Sequence, residues 1–410
     1  MSFLQAGRAG GQNASLPASA VPCPDLSPVL PPLPAFTINE AEALFDDAAY
    51  QAMLALLARA RSSIRMEFFL FGGPHAEAMT ELLVAKQAQG VSVQVTLDRA
   101  LGLLPLVRRE CRAAYRRLRR LGINVVLSDA RSFPNSPSKA GVAHNKIIVV
   151  DDGEALVGGM NVGSLFFHHH DVMVRLVGPA AGALGRQFDY DQQFVTTPGL
   201  ARPAGSPTLP PFAEHEQDVP AGHTRARIVG TGVGRRTTKG ALLQNLRAAR
   251  SSVCVAMCEM GRTDLLDELI AARARGVNVR VLLDPQQMDA YLPGPLGRRV
   301  PAGILNAGAV ETLLGAGVAV RLYQVGPDFC LMHLKLALFD EESAIVGSTN
   351  WTRGGFEWVG ETDVELHGGT VIKQLRAQFE RDWRERSVPA PPPTRAAAWL
   401  HRLYVRYAQQ

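Results

Sequence analysis

One pattern occurs twice in this chain of 410 residues, and it limits the possible folds more than any other feature. The first copy reads His144-Asn-Lys146-Ile-Ile-Val-Val-Asp151 and continues to Gly158-Gly159-Met-Asn161. The second reads His333-Leu-Lys335-Leu-Ala-Leu-Phe-Asp340 and continues to Gly347-Ser348-Thr-Asn350. The offset is constant, since 333 − 144, 335 − 146, 340 − 151 and 350 − 161 all equal 189. The apolar residues between Lys and Asp predict a buried strand, on which His and Lys at i and i+2 share one face.

Asp151-Asp152-Gly153 and Asp340-Glu341-Glu342 read as turns, and Ala155–Val157 and Ala344–Val346 as the strands that follow. Each Asn would then return to the side of its Lys. Two such units facing each other gather two His, two Lys and two Asn, a cationic donor cluster suited to a phosphate. That chemistry needs no metal and no cofactor.

At these residues the chain resembles the phospholipase D superfamily, whose HKD motif this is, over about residues 38 to 388. Leu156-Val-Gly-Gly-Met-Asn-Val-Gly163 and Asp171-Val-Met-Val-Arg-Leu-Val-Gly-Pro179 look like the bacterial cardiolipin synthase branch. The resemblance implies an α/β fold: two tandem α-β-α sandwich domains related by a pseudo-twofold axis, with both motifs at the interface. The active site would then be complete in a monomer. It also implies a catalytic set of His144, Lys146, Asp151, His333, Lys335 and Asp340, in which each motif Asp is mainly architectural. Asn161, Asn350, Gly159 and Ser348 would bind substrate, and Asp171 and Glu361 would each orient a catalytic imidazole.

The duplication extends well beyond the motifs. Ser62-Ser63 matches Ser251-Ser252, the helix and strand ending at Asp98 match those ending at Asp284, and Leu121-Gly-Ile-Asn-Val-Val126 matches Ala316-Gly-Val-Ala-Val-Arg321. Asn39 to Arg61 reads as a helix with Asn39 as N-cap, leading into an apolar strand from Ile64 to Phe71. Alternating helices and buried strands indicate a mostly parallel or mixed sheet covered on both faces. The expected boundaries are a loose arm over 1–37, a first domain over 38–195, a linker over 196–224 with six prolines, a second domain over 225–388 and a tail over 389–410.

Net charge is 43 − 38 = +5, which suits an anionic substrate or membrane surface but is too small to point to nucleic acid. Five Cys outside metal-ligand spacing favour reduced thiols in a cytoplasmic setting, with Cys254 and Cys258 as core residues. Residues 1–37 have no signal-peptide pattern, and no run of about 18 apolar residues supports a transmembrane helix. Peripheral contact with the inner face of the cell membrane is expected instead. Arg108 to Arg120 is a basic helix that reads either as a solvated face or as a contact for anionic headgroups, and Trp399, Leu400, Leu403, Tyr404 and Tyr407 form a helical stripe suited to a membrane interface or to docking on the second domain. Three consecutive His, His168 to His170, cannot all reach one ion from an extended segment and are expected at the pocket mouth or in solvent. Glu67 and Glu259 lack counterparts in the other copy, and each has a structural reading beside a functional one.

These features point to phosphodiester transfer or hydrolysis on phospholipids through a phosphohistidine, as a cardiolipin synthase-like phosphatidyltransferase or a phospholipase D. A nuclease of the same superfamily is the alternative, disfavoured by the absence of interleaved basic and aromatic residues near the motifs. A non-enzymatic binding protein is disfavoured by two intact motifs.

Overall fold

Buried apolar strands that follow amphipathic helices must stack side by side with helices laid over them, and the duplicated sequence does this twice. The computed structural model describes residues 35–99, 105–128, 142–164, 168–196, 219–232, 235–261, 263–285, 304–324, 326 and 331–393. Most of the expected arm and linker and the whole stripe from Trp399 to Tyr407 lie outside them. The first half contains β1 (Thr37–Phe45), α1 (Asp46–Arg59), β2 (Ser63–Phe68), α2 (Gly73–Ala88), β3 (Ser92–Asp98), α3 (Pro105–Arg120), β4 (Asn124–Ser128), β5 (Lys146–Val150), β6 (Glu154–Gly158), β7 (His169–His170), β8 (Val172–Val177) and α4 (Pro179–Thr196). The second contains β9 (Thr224–Gly232), β10 (Arg235–Arg236), α5 (Thr237–Ala248), β11 (Ser252–Met257), α6 (Asp264–Ala274), β12 (Asn278–Leu283), α7 (Ile304–Gly315), β13 (Ala319–Tyr323), β14 (Leu331–Met332), β15 (Lys335–Phe339), β16 (Ser343–Gly347), α8 (Arg353–Glu357), β17 (Glu361–His367), α9 (Thr370–Glu385) and β18 (Ser387–Pro389).

All of these strands except β7 and β14, which pair parallel with each other, form one mixed sheet. Outward from β1 the order is β8, β6, β5, β2, β3, β4, and outward from β9 it is β17, β16, β15, β11, β12, β13. Equivalent strands therefore occupy equivalent places. The two halves join where β1 and β9 pair antiparallel, Thr37 opposite Ala226 and Asn39 opposite Thr224. Within that sheet, parallel pairing of strands is confined to β2-β3-β4 and β11-β12-β13, where helices supply the crossovers.

This seam corrects one expectation. Asn39 does not cap a helix: residues 37–45 are a strand, and the helix begins at Asp46. Six residues of β1, Glu40 to Phe45, pair with β8, and that ladder overrides local helical preference. The Asn39 Oδ1 instead accepts from the Ala180 amide in the first turn of α4.

The core has three layers. Val95, Leu83 and Leu118 belong to an outer cluster of the first half, and Val281, Leu269 and Leu313 to its counterpart in the second. The middle cluster takes Val174, Leu184 and Phe188 from one half and Leu336, Val364 and Phe379 from the other, all buried. Each such side chain contributes about 1.5–3 kcal/mol relative to exposure. The halves therefore share a continuous apolar core that presses the two motif-bearing strands toward each other.

Candidate active site

Lys146 and Lys335 open β5 and β15, each with its His two residues earlier, so the strand alternation aims both pairs at one pocket. The His144 and His333 rings lie 6.5 Å apart between centroids at 70°. Parallel bridges set their backbones. The His144 amide donates to the Gly360 carbonyl at 2.8 Å and the His333 amide to the His170 carbonyl at 2.8 Å. Each histidine is thereby held by the residue just before the carboxylate of the opposite half.

The carboxylates are crossed as well. His144 Nδ1 lies 3.0 Å from both oxygens of Glu361, and His333 Nδ1 lies 2.7 Å from Asp171 Oδ2. A carboxylate at Nδ1 selects the tautomer with its proton there and leaves the lone pair on Nε2. The two dyads differ in detail. Ser348 Oγ donates to Glu361 Oε2 at 2.5 Å, whereas Gly159, its counterpart, lies so close to Asp171 that an added Cβ would stand 2.4 Å from Oδ1. Serine matches the longer Glu and glycine the shorter Asp. Gly158 and Gly347 are required by close strand packing, since a Cβ would meet the Val172 carbonyl at 2.2 Å or Asp363 Oδ1 at 2.3 Å.

Both lysines are buried, at 0% and 2% exposure. Lys146 Nζ donates to the His144 carbonyl at 2.5 Å and Lys335 Nζ to the His333 carbonyl at 2.7 Å. Burial, joined by Lys335, brings the Lys146 ammonium down to about 7 against the pull of Glu361 and Asp171. Burial and the two lysines also hold both imidazoles well below their ordinary value. Burial raises Glu361 to about 8 and Asp171 to about 6 despite the lysines. The pocket thus carries positive charge at a cost that a bound anion relieves. Asn161 Oδ1 and Asn350 Oδ1 are buried without a hydrogen-bond partner.

Asp151 and Asp340 are not brought to this pocket. They stand at the far ends of five-residue strands, about 17 Å from the lysines by strand rise. The Asp151 carboxylate accepts from the Arg61, Ser62 and Ser63 amides and Ser62 Oγ; Asp340 repeats this with Arg250, Ser251 and Ser252. Both have positive φ, 53° and 50°. Their place is a structural clamp at the turn, away from the facing histidines.

The three histidines diverge. His168 is exposed, His169 is buried with its ring 5.5 Å from that of His333, and His170 points into the interior between Asp46 and Asp382, so the expectation of pocket mouth or solvent fails for His170. Glu67 is buried in β2 against Asn145, pushed up to about 8 by burial and by Asp191. Glu259 is half-buried, raised by burial, and feels both Lys335 and Glu361.

Two supports were missed from sequence. Asp98 Oδ2 accepts from the Ala143 amide at 2.8 Å and Asp284 Oδ2 from the Met332 amide at 2.7 Å, anchoring the residue before each motif histidine. The signal was present, because each Asp ends a strand that the duplication repeats.

The chain matches the family model described as "Cardiolipin synthase, PLD-like domain" over residues 53–191 and 242–383. It is 27% identical over 352 residues to the probable cardiolipin synthase YwiE of Bacillus subtilis, covering 81% of this chain and 63% of that protein. It is 29% identical over 328 residues to cardiolipin synthase A of Salmonella arizonae, covering 76% of this chain and 62% of that one. The match thus spans a little under two thirds of the length of these relatives. In fold it is similar to a phosphatidylserine synthase from Haemophilus influenzae, with a TM-score of 0.68 at 13% identity over 92% of this chain and 95% of that one. A polyphosphate kinase from Porphyromonas gingivalis aligns with a TM-score of 0.55 at 15% identity, over 90% of this chain and 53% of that one.

Proposed function

Because the chain belongs to the cardiolipin synthase, phospholipase D-like family, we propose that it transfers a phosphatidyl group by way of a phosphohistidine, with phosphatidylglycerol as donor and as acceptor. The observation that carries this reading is the facing pair of imidazoles, each with Nδ1 on a buried carboxylate and Nε2 left for chemistry.

In the first step His144 Nε2 attacks phosphorus and the bond to the headgroup oxygen breaks, while protonated His333 delivers its Nε2 proton to the departing alkoxide. In the second, His333 takes the proton of the incoming hydroxyl, whose oxygen attacks phosphorus and expels His144. Lys146, Lys335, Asn161 and Asn350 hold the non-bridging oxygens as charge builds. The assignment of nucleophile to His144 follows the family resemblance. With phosphatidylglycerol as acceptor the products are cardiolipin and glycerol; with water they are phosphatidic acid and glycerol.

Peripheral contact with an anionic bilayer is assigned to α3. Leu106 and Leu121 are 64% and 44% exposed at its two ends, with exposed Arg109, Arg112, Arg116, Arg119 and Arg120 between them. Its counterpart α7 carries no Arg or Lys, so the architecture does not require the charge. Among the described residues no helix is long and apolar enough to cross a membrane.

The deciding experiment incubates purified protein with phosphatidylglycerol vesicles, identifies the lipid products, and quenches the reaction to look for a phosphatidyl adduct on His144. Product formation without adduct, and with His144→Ala fully active, would refute the mechanism.

A further inference from the structure

His170 makes a buried polar contact with two carboxylates outside the pocket. Its Nδ1 lies 3.0 and 2.9 Å from the two oxygens of Asp46, and its Nε2 lies 3.1 Å from Asp382 Oδ2. A neutral imidazole has one N–H and would turn a lone pair toward one of these carboxylates. Carboxylates at both nitrogens suit an imidazolium, and Gln378 Nε2 also lies 3.4 Å from His170 Nε2.

The bridge spans the interface. Asp46 stands at the junction of β1 and α1 with φ 52°, Asp382 is fully buried on α9, and Gln378 donates to the other oxygen of Asp382 at 3.0 Å. Phe45 and Tyr323 stack on the ring, with centroids 6.2 and 5.7 Å away, and Arg386 reaches the Tyr323 hydroxyl. Asp46 also grips the next residue: its Oδ1 accepts from the Asp171 amide at 2.9 Å, and its own amide donates to the Asp171 carbonyl at 3.1 Å. Asp171 in turn holds His333, whose amide donates to the His170 carbonyl.

The other half provides an internal control. Gly360 takes the place of His170, accepting from the His144 amide in the same manner but without a side chain. The dyads are alike while their supports differ. We propose that His170, as a charged bridge between Asp46 and Asp382, is a positioning residue that sets the Asp171–His333 dyad and thereby the proton transfers His333 performs. This rests on the two-histidine reading above.

Burial opposes the charge, but the hydrogen bonds to Asp382 and Asp46 outweigh it and hold His170 up at about 9. The folded value lies above the ordinary one, so the folded protein keeps the charged bridge up to about pH 9; the stability it contributes is complete below about 6.5 and is lost as pH rises through about 9.

The test measures kcat and KM from about pH 6 to 10.5 on phosphatidylglycerol for the wild type, His170→Gln, His170→Arg and Asp46→Asn, with His144→Ala and His333→Ala in parallel. A misplaced dyad should lower kcat about tenfold or more in His170→Gln and Asp46→Asn with KM nearly unchanged. A guanidinium pairs with two carboxylates and stays charged to above about pH 12, so His170→Arg should recover turnover and carry the alkaline limb upward. Wild-type kcat in a folded His170→Gln, or an alkaline limb that His170→Arg leaves in place, would overturn the inference. The comparison of wild type with His170→Arg decides even if His170→Gln fails to fold. Turnover surviving in His144→Ala and His333→Ala would instead remove the catalytic reading.

Discussion

His144, which opens the first motif, is oriented by Glu361 of the second half, 217 residues later, at 3.0 Å. Asp171 repays the relation by holding His333 at 2.7 Å. Neither half therefore carries a finished histidine–carboxylate pair, and these contacts exist only when the halves are packed together.

Removing the orienting carboxyl group should cost turnover while leaving substrate affinity nearly intact. Glu361→Gln and Asp171→Asn are each expected to lower kcat by about 10² to 10⁴, with KM changed little. Steady-state kinetics on phosphatidylglycerol micelles checks this. A loss confined to KM would show that the carboxylates bind substrate and do not orient imidazoles.

The free pocket holds its imidazoles well below their ordinary value and Lys146 at about 7, and an anion restores protons to such groups. Phosphate or tungstate binding should therefore take up protons, and affinity should strengthen as pH falls from about 8 toward 6. Titration calorimetry in two buffers of different ionisation enthalpy measures the uptake. Affinity independent of pH would contradict the electrostatics of the site.

Gly159 and Ser348 occupy equivalent places but are not interchangeable. A Cβ at Gly159 would stand 2.4 Å from Asp171 Oδ1, so Gly159→Ser should displace the carboxylate, destabilise the fold by about 1–3 kcal/mol and lower kcat by about 10². Ser348→Ala removes one hydrogen bond to Glu361 and should cost less of both. Thermal melts and kinetics of the two variants side by side decide it, and equal effects would be the wrong outcome.

Asp151→Ala and Asp340→Ala are expected to act on stability. Burial opposes ionisation at Asp151, but the amides of Ser63, Ser62 and Arg61 outweigh it and hold the carboxyl down at about 2. Its folded value lies below the unfolded one, so its contribution is present above about pH 4 and is lost as pH falls toward 2. The site is wet, so about 1 kcal/mol per residue is the expected loss at neutral pH. Denaturant titrations at pH 7 and pH 3 should show a smaller difference from wild type in acid.

Membrane contact through α3 makes a separate prediction. Neutralising Arg109, Arg112, Arg116 and Arg119 should weaken binding to anionic vesicles by about 1 kcal/mol each, and salt should weaken the wild type in the same direction. Sedimentation with vesicles reads both effects. Undiminished binding by the quadruple variant would place the contact elsewhere, with residues 394–410 the next segment to delete.

Much was legible in the linear chain because its information was local. The spacing of His and Lys, repeated at 189 residues, marked side chains that the fold brings face to face, and apolar runs marked β5 and β15 as buried strands. The carboxylates Asp171 and Glu361 were named as well. Their crossing was not, since nothing in the spacing says which histidine each reaches. Residues 39–45 read as helix from their own pattern and became strand because β8 and β9 flank them. The His170 bridge depends on Asp46 and Asp382, 124 and 212 residues away, which no periodicity connects. Local propensity and alternation act over a few residues and are written in the order of the chain. Partnerships across the seam arise only when the shared core of Val174, Phe188, Leu336 and Phe379 closes and brings buried charges within reach of one another.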